Sequence, residues 1–447
     1  MGKGADGSMQ TLDKLTASGD IVDAKKNKPL YLKIHGKVYD ATEFKKRHPG
    51  GNVISYYSGA DATDVFDNFH FRSKKAQALL KSMPIVEEKE GMIAPYKVYD
   101  GVDNNEEMLE DFRKWRQSLI DRGLFEPSIW HLAYRIADLA FWFTLSMLFF
   151  ANQQIALGVL ALGFVSGRFG WSQHEFSHFS FLKNRKIGRF LGSAFIGFGL
   201  SASGDLWRHM HNRHHSSCNK EGHDMDLDTT PLVAFYNTAV EKNRRTAFSP
   251  TWLKYQAYTF IPITSGMFVT LFWMLYLHPK NALKKGLWDE LFWMASSHIG
   301  KTALISSMTG FGILPSYALY WASNWVGGCY LFSQFSLSHT FLPTVEADEF
   351  PTWVDYALHH TVDQDTQSWF VNYVQGFLNC QVQHHLFTPM PQFRQPEVSK
   401  ELERFAKKWG RPYHHITYWE AWKRMFANLD DVGKHYFEES LQIPKLD

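Results

Sequence analysis

The chain has 447 residues, which is long enough for two or three domains. Its 47 lysine and arginine residues nearly balance 45 aspartate and glutamate residues, and the formal net charge of +2 excludes the strongly basic surface of a nucleic-acid-binding protein. Aromatic residues make up 16% of the chain, which is typical of a protein with lipid-facing and interfacial surfaces. Cys218, Cys329 and Cys380 lack the spacing of a disulfide or metal-binding framework and are interpreted as small buried hydrophobes.

The N-terminal part of the chain predicts a tail followed by a small domain. Residues 1–27 are polar and have no apolar segment, so they predict a disordered tail and no secretory signal. Residues 28–98 predict a compact soluble unit that opens with a strand-like alternation and contains the motif HPGG at residues 48–51. Two glycines behind a proline-fixed turn leave room for a flat group to approach the backbone. A predicted helix then ends near His70.

His48 and His70 could ligate a haem iron from both sides, which leaves no open position for oxygen and favours electron transfer. Two histidines in a small domain are, by themselves, more often surface residues. However, HPGG followed by DATDVF and a Phe-His pair resembles the cytochrome b5 family. The resemblance implies a small α+β domain that binds haem b, with His48 and His70 as the axial ligands.

Residues 99–130 predict a linker followed by an amphipathic helix. One face of this helix is apolar and consists of Met108, Leu109, Phe112, Trp115 and Leu119. Such a helix lies either on the membrane or against the domain that follows, and the pattern favours neither position.

Residues 131–447 predict an α-helical polytopic membrane domain with about four spans and further interfacial helices. Most of its apolar stretches are long enough to cross about 30 Å of hydrocarbon, and they cover residues 132–150, 155–171, 257–276, 291–310 and 313–335. The segment between residues 171 and 257 is rich in lysine and arginine, so it is expected on the cytosolic side. The short, glycine-rich stretch of residues 192–204 is expected to be re-entrant or interfacial.

Three histidine clusters with helical spacing flank these stretches. They read HEFSH, HNRHH and QVQHH, and their members are His174, His178, His211, His214, His215, Gln381, His384 and His385. Imidazoles at i, i+3 and i+4 share one face of a helix, and imidazole suits iron, copper, nickel and zinc. The clusters therefore predict a polynuclear metal site at the cytosolic rim of a helical bundle. His339, just past the last stretch, is predicted to be an eighth histidine ligand.

Eight imidazoles are too many for one metal ion and suit two ions with four or five ligands each. A ligand histidine needs a hydrogen-bond acceptor on its other ring nitrogen, which Glu175, Asp224, Asp226 or Asp228 could provide. The alternative for the aspartates is a capped acidic turn. Five further histidines are expected to be structural, solvated or behind the ligands, namely His209, His359, His360, His414 and His415.

Clusters that share one site must be separated by an even number of crossings, but three apolar stretches lie between the second and third clusters. Residues 291–310 contain His298 and Lys301, which are costly in lipid, so this stretch is predicted to be interfacial or a buried half-helix. That choice leaves the lysine-rich residues 280–285 on the lumenal side, against the charge rule.

From about residue 105 to the end, these features resemble the membrane fatty-acyl desaturases. Together with the N-terminal unit they resemble the front-end subgroup, in which glutamine replaces the first histidine of the third box, as Gln381 does here. The resemblance implies a di-iron centre that uses O2 to remove two hydrogens from an acyl chain. The product is a cis double bond between the carboxyl end and an existing double bond. The resemblance assigns catalytic and metal-binding roles to the cluster residues, and less directly to His339 and Gln381.

The resemblance also implies the partners. They are a fatty acyl-CoA or phospholipid acyl substrate, O2 and an external NADH-cytochrome b5 reductase, in the endoplasmic reticulum membrane with the N-terminus and histidine boxes cytosolic. FSLSHTFLP and HTVDQDTQSWFVNYVQGFLN are similar to Δ5 members, so Δ5 activity is favoured over Δ6, Δ8 or Δ4 activity. Two rivals are a cytochrome b5-fused di-iron hydroxylase and a histidine-rich membrane metal transporter.

Overall fold

The computed structural model of the chain describes residues 29–227, 229–230, 232–237 and 250–442. The predicted tail, residues 1–27, and Asp228 lie outside the described residues.

A small mixed α and β unit opens the described chain. Its sheet has the order β3-β1-β2-β4, and its strands are β1 (Tyr31–Ile34), β2 (Lys37–Asp40), β3 (Ala60–Asp61) and β4 (Ile85–Val86). Two short helices pack on this sheet, α1 (Thr63–Phe69) and α2 (Lys74–Lys81), and 3-10 turns cover Phe44–Arg47 and Gly51–Tyr57. The strands β1 and β2 form a hairpin because His35 and Gly36 both adopt positive φ at the turn. The α+β domain expected from the sequence is therefore present.

The predicted amphipathic helix is α3 (Asn105–Asp121), and it packs against the helical domain. Its apolar face contributes Met108, Leu109 and Phe112 to a core that also contains Phe387 and Phe405. Burial of these side chains, rather than a membrane surface, therefore stabilises the helix.

The helical domain follows. Its first half contains α4 (Ile129–Ala151), α5 (Ile155–Ser177), α6 (Arg185–Leu200), α7 (Gly204–Ser216), α8 (Pro250–Lys254), α9 (Gln256–Lys285), α10 (Trp288–Thr309) and α11 (Ile313–Phe335). Its second half contains α12 (Trp353–His360), β5 (Asp363–Gln364), α13 (Trp369–Val374), α14 (Gln381–Leu386), α15 (Gln395–Lys408), β6 (His415–Ile416) and α16 (Tyr418–Gln442). Two π-helical segments, Phe260–Val269 and Trp273–Leu277, lie within α9.

In the described ranges, three helices are long and apolar enough to cross a membrane, namely α4, α5 and α9. The contacts of α9 place both of its ends on the side of the bundle that carries the histidine clusters. At its start, Gln256 donates a hydrogen bond to the carbonyl of Leu429 in α16, a helix that packs beside His339. At its end, Lys285 pairs with Asp205 of α7 at 2.5 Å. Both ends of α9 therefore lie at the histidine end of the bundle.

The helix α10 runs from the histidine end of the bundle to the opposite end. At its first turn, Glu290 accepts a hydrogen bond from the backbone N–H of Asp205 in α7. At its last turn, the carbonyl of Thr309 accepts one from Gln153, which lies in the turn between α4 and α5 at the opposite end of the bundle. Of the two predicted alternatives for residues 291–310, interfacial or a buried half-helix, the half-helix is wrong, because α10 is continuous over 22 residues.

His298 and Lys301 were the reasons for predicting that residues 291–310 do not span the membrane, and Lys301 has a favourable environment in the bundle. Its side chain is buried inside the protein, and its ammonium donates to the carbonyl of Gly199 at 2.8 Å. A cation that faces the bundle interior and has a hydrogen-bond partner is tolerated in a membrane helix. Four helices, α4, α5, α10 and α11, thus connect the two ends of the bundle, and Lys285 of the lysine-rich residues 280–285 lies on the same side as the histidine clusters rather than opposite them.

Close contact between α5 and α11 depends on glycine. A Cβ atom at Gly163 would lie 2.5 Å from the Cβ of Val326 and 2.7 Å from the backbone oxygen of Ser323. A β-branched side chain and a helix backbone cannot yield without moving the two helices apart.

We therefore expect Gly163→Ala to lower the thermal-unfolding temperature of the detergent-solubilised protein, with an overpacking cost of about 1–3 kcal/mol. The matched control is Gly300→Ala in α10, where a Cβ would meet no atom within 4 Å. Heating followed by fluorescence-detected size-exclusion chromatography measures both variants. Equal losses of stability would contradict the close packing described for α5 and α11.

Candidate functional site

The histidine clusters predicted from the sequence converge in the structure. Five ring systems form one group whose nitrogen atoms lie within 4.8 Å of one another, namely His174, His178, His211, His215 and His384. The Nε2 atom of His211 is 3.0 Å from the Nε2 atoms of both His178 and His215. Two nitrogens that bind one ion at a right angle, with bonds of about 2.1 Å, lie about 3.0 Å apart. The spacing therefore fits a shared metal ion.

A second group of donors adjoins the first. His214, His339 and His385 lie together, and the ring centres of His214 and His339 are 4.7 Å apart. The ring of His385 stacks on that of His215 in the first group, with centres 4.2 Å apart. The two adjacent donor sets could hold two metal ions, and His339 lies together with the cluster residues.

Cys218 also reaches the second group, although the sequence analysis interpreted it as a buried hydrophobe. Burial and the charges of Asp224 and Asp226 raise the pKa of the Cys218 thiol well above its ordinary value. A protonated thiol is a poor metal ligand, so the geometry does not by itself overturn the earlier interpretation.

Several buried ring nitrogens of the two donor sets have no hydrogen-bond partner within the described ranges. They are Nε2 of His174, Nδ1 of His215, Nδ1 of His339, both nitrogens of His384, and Nε2 of His385. A buried polar atom without a partner costs about 1–3 kcal/mol. Burial also lowers the pKa of His178 and of His339 to about 3, which keeps both imidazoles neutral, as metal binding requires. The donor set therefore fits bound metal.

Asp224 orients one of these histidines, as the sequence analysis proposed. Its carboxylate accepts a hydrogen bond from Nδ1 of His214 at 2.9 Å, which leaves Nε2 available for a metal. Burial lowers the pKa of His214, but the charges of Asp224 and Asp226 outweigh burial and raise it to about 9. The backbone N–H groups of Asn219 and Asp226 also donate to Asp224, so the carboxylate is held in place.

Glu175 acts through an intermediate residue that the sequence did not reveal. Its carboxylate accepts hydrogen bonds from His131 and Arg135 of α4, each at 3.0 Å, and contacts none of the cluster histidines directly. The amide of Gln392 is oriented so that both its nitrogen and its oxygen have hydrogen-bond partners. The nitrogen donates to Glu175 at 2.9 Å, and the oxygen accepts from Nδ1 of His174 at 2.6 Å. Gln392 is thus the group that orients His174. No motif or spacing marks this isolated glutamine, which begins the short 3-10 helix Gln392–Arg394.

The third cluster is positioned by Asp363, another residue without a sequence signal. This buried carboxylate accepts from the backbone N–H of Val382 at the start of α14 and from the hydroxyl of Tyr413 at 2.6 Å. Gln381 donates to the hydroxyl of Ser338, and its side-chain oxygen has no hydrogen-bond partner among the residues that the structure describes. Gln381 therefore lies next to Ser338, the residue before His339 in the chain, with one side-chain oxygen that has no partner among the described residues.

A separate pair of histidines lies in the N-terminal unit. The ring centres of His48 and His70 are 6.4 Å apart. Two imidazoles on opposite sides of one ion, with metal–nitrogen bonds of about 2 Å, place their ring centres roughly 6 Å apart. The Nδ1 atoms bond to the carbonyls of Gly51 and Phe66, each at 3.1 Å, so both Nε2 atoms are left for a metal. Burial lowers the pKa of His70 to about 4, which keeps it neutral.

The space around this pair also fits a haem. A cavity of about 430 Å³ contains His48 and His70 in its wall together with apolar side chains such as Val53, Val65 and Leu79. A Cβ atom at Gly50 would lie 2.7 Å from the His48 ring, so this position of the HPGG motif admits only glycine without a shift of that ring.

Comparison with known proteins identifies relatives of both regions. A family model described as "Fatty acid desaturase" matches residues 150–417, and one described as "Cytochrome b5-like Heme/Steroid binding domain" matches residues 18–111. An "Acyl-lipid (8-3)-desaturase" of Rebecca salina is 38% identical over 412 residues, covering 92% of this chain and 93% of the relative. A protein of the same name from Thraustochytrium sp is 36% identical over 445 residues, covering 97% and 98%. A "Delta(6)-fatty-acid desaturase" of Caenorhabditis elegans is 28% identical over 438 residues, covering 91% and 97%.

The role of Gln392 generates a prediction. Gln392→Leu removes the acceptor that orients His174 and leaves the Glu175 carboxylate with one donor fewer. We expect metal affinity to fall about 10- to 100-fold, because loss of an orienting partner has that effect on other metal sites. Bound metal per chain, measured by plasma emission spectroscopy during chelator titration, tests this expectation. The control is Gln367→Leu at an exposed position, and equal affinities in the two variants would contradict the role of Gln392.

Proposed function

The chain belongs to the fatty acid desaturase family and carries a cytochrome b5-like domain, and from this premise we propose that it is a front-end desaturase with Δ5 regioselectivity. It is an oxidoreductase whose cofactors are haem and a di-iron centre. The observation that supports the proposal most is the convergence of eight histidines into two adjacent donor sets. The proposed haem domain covers residues 28–98, and the proposed desaturase domain covers residues 131–447.

The two donor sets define the proposed iron ligands. The first iron is held by His174, His178, His211, His215 and His384, and the second by His214, His339 and His385, with Gln381 beside them. In the other domain, His48 and His70 are the proposed axial ligands of haem. When bound, the di-iron centre supplies the oxidising chemistry that removes two hydrogens from the acyl chain with O2, and the haem supplies electrons singly.

The residues of the chain contribute position and exclusion of water. Both donor sets are buried, so water is kept from the reacting carbon atoms and side reactions are suppressed. Gln392 and Asp224 hold the rings of His174 and His214 in the tautomers that leave Nε2 free. Fusion of the haem domain to the desaturase domain raises the effective concentration of the electron donor.

The substrate is proposed from the relatives and from two segments of the chain. The relatives named acyl-lipid (8-3)-desaturases support an acyl chain carried on a lipid rather than on CoA. We interpret the 8 in that name as the position of an existing double bond and the 3 as the number of carbons by which the new double bond lies closer to the carboxyl end. The new double bond is then at carbon 5. The similarity of FSLSHTFLP and of residues 360–379 to Δ5 members supports the same position.

We also propose the orientation and the external reductant. Lysines of residues 280–285 join the arginine- and lysine-rich segment on the histidine side of the bundle, which supports a cytosolic location for both histidine sites. The membrane proposed is that of the endoplasmic reticulum. The proposed source of electrons is an NADH-cytochrome b5 reductase.

Product analysis tests the regioselectivity. Yeast that lacks polyunsaturated fatty acids would express the chain and receive 18:2, 18:3, 20:3 and 20:4 acids in separate cultures. We expect a new double bond at carbon 5 of the C20 acids, located by mass spectrometry, and more product in the phospholipid fraction than in the acyl-CoA fraction at early times. A bond at carbon 6 of the C18 acids would replace the Δ5 assignment with Δ6. Hydroxylated product would favour a hydroxylase, and no product from iron- and haem-loaded protein would favour a transporter.

Two variants separate the roles of the two metal sites. His384→Ala should reduce product to background and lower bound iron while the haem absorption spectrum stays unchanged, because His384 lies only in the first iron set. His48→Ala should remove the haem spectrum and leave bound iron unchanged. Absorption spectroscopy and iron analysis of the purified chains measure both effects. Loss of both cofactors in either variant would mean that unfolding, rather than ligand loss, explains the result.

A further inference from the structure

The cavity that contains His48 and His70 does not end at the haem domain. Its wall continues on the desaturase domain with side chains that follow α5 or lie on α6 and α7, namely Phe179, Arg185, Arg189, Asp205, Arg208, His209, Asn212 and Ser216. We call it the interdomain cavity. Direct contacts hold the two domains together beside it. The hydroxyl of Tyr57 donates to the carbonyl of Ser216 at 2.6 Å, and Arg213 donates to the hydroxyl of Tyr56 at 2.8 Å.

Positive charge dominates the interdomain cavity. Among the described residues in its wall, the cations are Lys75, Arg185, Arg189 and Arg208, and the carboxylate is Asp205. Asp205 is already shared, because it pairs with Arg208 at 2.9 Å and with Lys285 at 2.5 Å. The desaturase side of the cavity therefore carries cationic groups that its own carboxylate does not balance.

Arg185 is the clearest case of a cation without an anionic partner. One guanidinium nitrogen donates to the carbonyl of Phe69, directly before His70, at 3.2 Å. Its buried Nε atom has no hydrogen-bond partner within the described ranges, and no ion pair forms there with Arg185 or Arg189. Burial and the charges of Arg72 and Arg189 lower the pKa of Arg185. Arginines that are partly desolvated and repel one another favour the binding of an anion.

We propose that Arg185, Arg189 and Arg208 of the desaturase domain bind the two propionate carboxylates of the haem, so that both domains hold the cofactor. The propionates are the anionic groups of a haem, and guanidinium groups bind carboxylates through paired, charge-assisted hydrogen bonds. The proposal rests on the ligation of haem by His48 and His70 proposed above.

Such anchoring has a consequence for the distance between the two cofactors. Phe179 and Asn212 line both the interdomain cavity and a smaller neighbouring cavity that contains His178. Phe179 directly follows His178 in the chain, and Asn212 directly follows His211. A haem held by the three arginines is therefore fixed against the residues that adjoin the iron ligands.

Haem release from the full chain tests the proposal. The triple variant Arg185→Gln, Arg189→Gln and Arg208→Gln is compared with the wild type and with Lys186→Gln, an exposed position of α6 outside the cavity. We expect the triple variant to transfer haem to excess apomyoglobin at least about tenfold faster, because the loss of a single charge-assisted hydrogen bond already predicts that factor, and the control to match the wild type. The haem midpoint potential should shift to a lower value, because fewer cations stabilise the reduced form.

Reconstitution with haem dimethyl ester makes the test specific. Both carboxylates are then neutral, so the wild type and the triple variant should release the ester at equal rates. Release of natural haem by the triple variant at the wild-type rate would overturn the proposal, as would an undiminished tenfold difference with the ester. The bis-imidazole absorption spectrum is recorded for every protein. If the wild type lacks this spectrum, His48 and His70 are not the haem ligands. If the wild type shows the spectrum, the release rates of natural haem test the role of the three arginines separately.

Discussion

The desaturase domain depends on one constraint, which is the burial of eight imidazole rings in a region from which water is excluded. Burial lowers the pKa of most of these rings, so they are neutral and able to bind metal. Neutral rings still need partners for their nitrogens, and several nitrogens find none within the described ranges. Two iron ions would provide those partners, and metal binding would then be coupled to the packing of α5, α7 and α14.

Polar groups around the centre orient two of the rings, those of His174 and His214, so that their Nε2 atoms are available for metal. The buried carboxylate of Glu175 would be costly alone, but His131, Arg135 and Gln392 surround it. Through Gln392 this ion pair reaches His174, so a helix that supplies no ligand, α4, still determines the orientation of one. Asp224 performs the same role for His214 by direct contact. The metal site is therefore supported by elements that are distant in the chain.

Side-chain contacts hold the haem domain against α3 and against the residues that follow α5. Arg113 of α3 pairs with Asp64 of α1 at 2.7 Å, and Arg72, at the other side, donates to the backbone carbonyl of Phe179. Asp64 is buried, which strengthens its interaction with Arg113 relative to an exposed pair. These contacts define one orientation of the haem domain, in which its cavity faces α6 and α7. A tethered domain with a single docking orientation delivers electrons without diffusional search.

The amino-acid sequence by itself determined the parts of this protein that depend on local spacing. Helical periodicity put the three histidine clusters on helix faces, the HPGG segment indicated a haem domain, and the apolar stretches indicated about four spans, because each of these features lies within a single segment. It did not determine which stretch crosses the membrane. Lys301 argued against α10, yet only the packed bundle provides the carbonyl of Gly199 that satisfies its ammonium.

Tertiary structure alone also decided which residues support the metal site. Gln392 and Asp363 are isolated polar residues with no motif, and their importance arises from contacts with His174 and with the start of α14. The same holds for the arginines of the interdomain cavity, which belong to one domain and face the cavity of another. Spacing along a chain predicts which side chains share a helix face. The contacts of distant segments depend on packing, and packing is determined by the whole set of side chains at once.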